Sequence, residues 1–221
     1  MTRLLRRYDT FIFDWDGTLV VGNPLLRLNE MINPGWAYRK MRSEEMIDEY
    51  SVRMQKAGTL AGDAIRKHIR ESERNKGAYT RLLDVVFYLT KPRLHNYSAE
   101  VLGKLRERNA KIALFTNGAA YRVIKGLVHL KIEEYFEVIA SAQDLGALKP
   151  NPLGLNVLIS SMHSRKSRCI YIGDMVSDVE TAKYAGISSC AIAKGFSTYA
   201  QLDGARPTYL FRSMESFAKA L

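Results

Sequence analysis

Apolar positions change their rhythm twice along the 221-residue chain. Residues 10–14 open as a continuous apolar run, Phe11, Ile12 and Phe13, closed by Asp14 and the turn-forming Gly17. Such a run predicts a short buried strand. From residue 20 to residue 91 the apolar positions recur at helical spacing instead. Met46, Ile47, Tyr50 and Met54 form one stripe, Leu60, Ile65 and Ile69 a second, and Leu82, Leu83, Val86 and Phe87 a third. Ser43, followed by Glu44 and Glu45, reads as an N-cap with an acidic first turn. Pro34-Gly35 and residues 75–79 read as breaks between helices.

Beyond residue 92 the pattern alternates. Ser98 is expected to cap a helix running through Asn109. Residues 111–118 (KIALFTNG) read as a strand, and Val123, Ile124, Leu127 and Val128 as a helix face. Strands are then expected at 137–141, 168–174, 188–193 and 207–211, with helices near 152–162 and ending near Gly186. The strands are mostly unbroken apolar runs, as expected when helices cover both faces of a parallel sheet. The chain is thus expected to be α/β. Residues 1–19 and 92–221 form one parallel-sheet core domain, with right-handed crossovers, and residues 20–91 are a helical insert after the first strand.

In a parallel sheet all strands end on one rim, where open α/β folds bind ligands. Three of the expected strands end there in chemistry. The first leads into Asp14 and Asp16, the second into Thr116, Asn117 and Gly118, and the third into Gly173 and Asp174 with Asp178 beyond. Lys149, before Pro150, follows the 137–141 strand. Asp14 and Asp16, two apart, would share a face if the strand continued, and like charges so placed repel unless a cation or proton intervenes. Trp15 between them is expected to point away into packing.

These residues carry a resemblance. Asp14-Trp15-Asp16-Gly17-Thr18, Thr116-Asn117-Gly118, Lys149-Pro150 and Gly173-Asp174 with Asp178 resemble, in order, the four motifs of the haloacid dehalogenase superfamily of phosphohydrolases. Residues 172–186 (IGDMVSDVETAKYAG) look most like its phosphoglycolate phosphatase group. The resemblance implies a Rossmann-like core, with the insert at 20–91 as a helical cap domain. It also implies a Mg²⁺-dependent phosphatase acting on a small phosphorylated metabolite, phosphoglycolate-like or a sugar phosphate. Asp14 would be the nucleophile that forms an aspartyl-phosphate, and Asp16 the general acid and then base. Thr116, Asn117 and Gly118 would bind phosphate at a helix start. Lys149 would stabilise phosphoryl charge. Asp14, the Asp16 carbonyl and Asp174 would hold Mg²⁺, with Asp178 holding metal-bound water or acting as a ligand. A phosphomutase or phosphotransferase using the same residues, and a catalytically silent binding protein, stay open. Two departures from the resemblance are mild: Leu148 is bulky before the lysine, and alanines follow Gly118.

Composition changes this picture little. The hydrophobic share is 47%, enough for a packed core, and no run reaches the length of a membrane span. The basic start, MTRLLRRYDT, lacks an apolar stretch and a cleavage site, so no signal peptide is read. Cys169 and Cys190 lie in apolar runs and are expected as buried free thiols of a cytoplasmic protein. The net charge of +10 raises nucleic-acid binding. The basic residues are spread and interleaved with acids, so no nucleic acid and no membrane are expected as partners. The insert carries thirteen Lys/Arg against nine Asp/Glu, which suits an acidic substrate. Arg27, Arg39, Lys40 and Arg42 are its candidate contacts.

Overall fold

A computed structural model describes residues 3–21, 91–118, 120–142, 145 and 147–221. The stripes, breaks and substrate-contact candidates expected within 22–90 lie outside the described residues. Six strands form one parallel sheet. They are β1 (Thr10–Phe13), β2 (Lys111–Thr116), β3 (Val138–Ser141), β4 (Cys169–Gly173), β5 (Ser188–Ile192) and β6 (Tyr209–Phe211), in the order β3-β2-β1-β4-β5-β6. The helices are α1 (Arg3–Arg7), α2 (Ser98–Glu107), α3 (Ala120–Leu130), α4 (Leu153–Ser161), α5 (Val176–Ala185), α6 (Tyr199–Gly204) and α7 (Met214–Ala220). The core is thus α/β and Rossmann-like, as expected.

Strand β1 lies in the middle, with Thr10–Phe13 paired to Lys111–Leu114 on one side and to Cys169–Ile172 on the other. Both faces are packed, which explains the unbroken apolar runs. Phe11 and Phe13 join a cluster with Leu102, Leu105, Val123, Leu127 and Phe217 on one side of the sheet. Ile12, Ala113, Phe115 and Tyr171 join one with Leu155, Leu158, Ala182 and Ala185 on the other. The chain moves outward from β1 to β3, then returns to β4 on the opposite side. The carboxyl ends of β1, β2 and β4 therefore flank a topological switch point, where such sheets open a crevice.

Three sequence expectations change. Ser98 does not cap α2: Tyr97, with φ of 71°, holds the N-cap position. The buried Ser98 hydroxyl instead donates to the Leu19 carbonyl at 3.0 Å. Helix α2 stops at Glu107, short of Asn109, whose φ of 53° is left-handed. Helices α1, α6 and α7, of five, six and seven residues, were not expected, because so short a segment shows no helical period. Cys169 and Cys190 are buried and free, as expected.

The segments on either side of 22–90 run side by side. The Val21 N–H donates to the Arg93 carbonyl, and the His95 N–H to that of Leu19, each at 2.9 Å. Val20 and Leu94 form an antiparallel bridge.

Candidate functional site

Asp14 stands one residue beyond β1. Its N–H donates to the Ile172 carbonyl of β4 at 2.8 Å, so the sheet's own bonding holds it at the rim. The chain then turns. The Leu19 and Val20 amides both reach back to the Trp15 carbonyl at 3.1 Å, and Trp15 is buried in the core as expected. The relation of Asp14 to Asp16 is therefore set by a turn. Alternation along a strand, the reason first given for their sharing a face, does not apply, because β1 ends at Phe13. Gly17 takes φ of 86° here, and a Cβ at that position would lie 2.5 Å from Asp174 Oδ2. Any other residue would be strained and would collide with the site.

Asp14, Asp174 and Asp178 are all buried and present carboxylate oxygens within 4.8 Å of one another. Asp16 is outside that group. Lys149 reaches into it from the loop after β3, its side chain only 3% exposed. The Lys149 ammonium donates to Asp14 Oδ1 at 2.6 Å and to Asp178 Oδ1 at 2.8 Å. Burial would drive this lysine toward neutrality, but the two carboxylates at hydrogen-bond distance outweigh it and raise its pKa. Three carboxylates still share one ammonium. Burial, aided by the charges of Asp178 and Asp174 and opposed by Lys149, holds the Asp14 carboxyl well above its ordinary range.

Each remaining group is tied down. Asp174 Oδ1 accepts from the Thr18 hydroxyl at 3.0 Å, and Oδ2 from the Phe196 N–H at 2.6 Å. Asp178, in the first turn of α5, uses Oδ2 to accept from the Asp174 and Met175 amides at 3.1 and 2.9 Å. Its Oδ1 also accepts from the Tyr171 hydroxyl at 3.1 Å. Burial, with Asp178 and Asp14 nearby, raises the Tyr171 pKa well above normal, so the phenol stays a donor. At the end of β2 the Thr116 hydroxyl oxygen accepts from the Gly118 N–H at 3.0 Å, and the buried Ser141 hydroxyl donates to the Gly118 carbonyl at 2.8 Å. Asn117 turns its Oδ1 to accept from the Lys149 backbone N–H at 3.0 Å. That bond couples the loop after β2 to the loop carrying Lys149. The bulky Leu148 packs against the sheet cluster around Phe115.

All eight residues given a role from sequence, Asp14, Asp16, Thr116, Asn117, Gly118, Lys149, Asp174 and Asp178, thus stand at the carboxyl rim, and four of them, Asp14, Lys149, Asp174 and Asp178, touch or share one acidic cluster. Thr18, Ser141, Tyr171 and the Phe196 amide were not foreseen as parts of the site. Ser141 had a faint signal, a hydroxyl closing an apolar strand as Thr116 does. The backbone of Phe196 had none.

A pH effect follows from the cluster. Burial, then the charge of Asp178, pushes the metal-free Asp174 carboxyl up to about 6 against the opposition of Phe196, Thr18 and Lys149. A folded pKa above the unfolded value of ~3.9 means that the folded state binds the proton more tightly. The contribution of Asp174 to stability is therefore present below about pH 4 and lost as pH rises through about 6. Without metal, Asp174→Asn should melt above the wild type at pH 7.5 and lose that advantage at pH 4.5. Thermal denaturation in EDTA at both values checks this; an advantage independent of pH overturns it.

A model of the family described as haloacid dehalogenase-like hydrolase matches residues 11–192. The chain belongs to that family. Among haloacid dehalogenase-like relatives, pyrophosphatase PpaX of Halalkalibacterium halodurans is 27% identical over 218 residues, 93% of this chain and 93% of the relative. The phosphoglycolate phosphatase of Escherichia coli is 27% identical over 128 residues, 58% of this chain and about half, 51%, of that enzyme. A solved structure from Haemophilus somnus, described as a predicted phosphoglycolate phosphatase, superposes with a TM-score of 0.65 at 21% identity, covering 96% of this chain and 97% of the other. A haloacid dehalogenase-superfamily hydrolase from Ehrlichia chaffeensis does so with a TM-score of 0.57 at 19% identity, covering 96% and 95%. At such identities these two likenesses carry the fold. No helix among the described residues is long and apolar enough to cross a membrane.

Proposed function

We propose that this hydrolase is a Mg²⁺-dependent phosphatase acting on a small phosphorylated metabolite through an aspartyl-phosphate on Asp14. One observation carries the reading: three buried carboxylates within 4.8 Å are met by a single ammonium. With every group ionised the cluster is two charges negative, which is the deficit one divalent cation fills. The donors are all hard oxygens, the set that suits Mg²⁺. Asp14, Asp174 and the Asp16 carbonyl would hold the ion, which supplies positive charge beside the phosphoryl oxygens. Asp178 already accepts from four donors of this chain. Its role is to hold Lys149 and the first turn of α5, and to support the metal site from behind.

The steps then fall to the chain's own groups. Asp14 attacks phosphorus and the bond to the leaving oxygen breaks, with Asp16 donating a proton to that oxygen. Asp16 next takes a proton from water, which attacks the same phosphorus and releases phosphate and a free Asp14. Lys149 neutralises charge on Asp14 and on the phosphoryl group throughout. The Thr116 hydroxyl, whose oxygen accepts from Gly118, keeps its proton for a phosphoryl oxygen, and Asn117 and Gly118 shape the loop that receives it. Residues 1–19 and 92–221 are the catalytic domain, and 20–91 the cap that covers the rim and selects substrate. Phosphoglycolate-like compounds and sugar phosphates suit the net positive insert. Inorganic pyrophosphate is the second candidate, because the relative named a pyrophosphatase matches over 93% of both chains.

Phosphate release from a panel holding phosphoglycolate, sugar phosphates and pyrophosphate, with Mg²⁺ and with EDTA, tests this. Release from none of them would favour a binding protein, turnover in EDTA would remove the metal, and transfer of phosphate to a second sugar would favour a phosphotransferase or phosphomutase. Asp16→Asn offers a sharper result. It keeps the nucleophile and the backbone carbonyl but loses proton transfers typically worth ~10²–10⁴ in rate. Alkyl phosphates should lose most of their turnover and p-nitrophenyl phosphate much less in its first step. Equal losses for both leaving groups would take the acid role from Asp16.

A further inference from the structure

The Lys149 ammonium is flanked by aromatic rings as well as by its carboxylates. Nζ lies 5.4 Å from the ring centroid of Phe115 and 5.4 Å from that of Tyr171, within the range where an aromatic face attracts a cation. The two centroids are 6.0 Å apart, with the rings tilted by 48°. Phe115 comes from β2 and Tyr171 from β4, the strands on either side of β1. Asp14, which Lys149 binds, follows β1 directly. Phe115 has its place because α4 carries Gly154 against it: a Cβ on Gly154 would overlap the Phe115 ring.

Tyr171 does more than fill space. Its hydroxyl reaches the Phe115 carbonyl at 3.0 Å and Asp178 Oδ1 at 3.1 Å. One phenolic proton is thus shared between the strand that ends in Thr116 and the carboxylate that receives Lys149. Asp178 Oδ1 accepts from both Tyr171 and Lys149, while Oδ2 is held by two backbone amides. The carboxylate cannot rotate without giving up several bonds at once. A phenylalanine at 171 would fill nearly the same volume and fix none of this.

We propose that Tyr171 is a positioning residue for Lys149. Its ring lies beside that of Phe115 against one side of the ammonium, and its hydroxyl locks the Asp178 oxygen on which the ammonium docks. Two N–H bonds of Lys149 are thereby committed to Asp14 and Asp178, and the third is held for a phosphoryl oxygen. Only this last step rests on the phosphatase reading; the placement of Lys149 does not.

Two measurements on the full-length protein test it. The first needs no activity. In ¹H–¹³C spectra of protein labelled on lysine, the ε-methylene signal of Lys149 is the one lost in Lys149→Arg. It should lie upfield of exposed lysines because of the two rings. Tyr171→Leu should move it toward them, and Tyr171→Phe should keep most of the displacement. Phe115→Leu predicts a similar movement and serves if Tyr171→Leu does not fold. A signal that stays in place when either ring is removed overturns the proposal, whatever the protein hydrolyses. The second is turnover of p-nitrophenyl phosphate with Mg²⁺. Tyr171→Phe should lower kcat roughly tenfold, the scale of one hydrogen bond to a charged group, and change KM by less than about twofold. In a Lys149→Met background the same substitution should cost nothing more, because its effect passes through the lysine. An equal loss in both backgrounds would make Tyr171 a packing residue only and overturn its positioning role. If the wild type released no phosphate from any ester, the phosphatase reading would fall by itself, and the spectra would still decide where Lys149 is held.

Discussion

Asp14→Asn should abolish turnover. The expected loss is on the order of 10⁵–10⁶, the scale seen when a covalent nucleophile is removed from a catalytic unit. The amide is nearly isosteric, but its oxygen is uncharged and far too weak a nucleophile to attack phosphorus and form the phosphoenzyme. Folding should not suffer in the same way. The substitution removes one of three carboxylates crowded within 4.8 Å, and Lys149 keeps Asp178 as a partner at 2.8 Å. In EDTA at neutral pH the variant should melt no lower than the wild type. Acid quench after a labelled aryl phosphate should show label on the wild type and none on the variant. Turnover within tenfold of the wild type, or label still trapped on the variant, would place the nucleophile elsewhere.

Lys149→Met should damage both activity and stability. A methionine occupies nearly the same length, so packing against the Phe115 and Tyr171 rings survives while the charge goes. Removing one donor aimed at developing charge typically costs ~10²–10³ in rate, and Lys149 also neutralises the nucleophile, so a loss of about 10³ is expected. Stability falls because two buried carboxylates lose their cation. Removing one partner of a buried pair costs about 3–5 kcal/mol, which for a chain of this size is a melting-temperature drop of roughly 10 °C. The carboxyls relieve that cost by taking up protons, so the deficit should be larger at pH 8 than at pH 5. Addition of Mg²⁺ should recover part of the lost stability without recovering the rate. A variant as stable as the wild type in EDTA at pH 8 would mean that the Asp14–Lys149–Asp178 arrangement carries little of the fold.

The sequence showed the sheet and the catalytic rim for related reasons. Strands buried on both faces read as unbroken apolar runs, so a polar residue at the end of one stands out, as Asp14, Thr116 and Asp174 do. Tyr171 was hidden by the same logic. Within CIYIG it is one more bulky strand residue, and only the fold brings its hydroxyl onto Asp178. The Phe196 amide acts on Asp174 from a loop remote in sequence, where nothing local marks it, and the Ser141 hydroxyl, which holds the Gly118 carbonyl, was marked only by closing an apolar strand. Ser98 was legible as a helix start but misread in role, because its hydroxyl found the Leu19 carbonyl, in the segment after β1, rather than its own first turn. The turn at Gly17 was legible, but the strand was carried to residue 14 and so one residue too far, since an apolar run does not announce where its last ladder bond lies.

The pairing of Val21 with Arg93 and of Leu19 with His95 gives the core a doorway with two fixed jambs. Whatever enters and leaves between residues 22 and 92 does so through neighbouring backbone positions, so the sheet meets that stretch as a closed loop. The entropy of closing a loop grows only with the logarithm of its length, and a doorway of fixed width accepts a short turn or a long module at nearly equal cost. Selection could therefore exchange one such module for another while β1, β2 and β4 and their rim stayed untouched, and a lineage could acquire new substrates without rebuilding its chemistry.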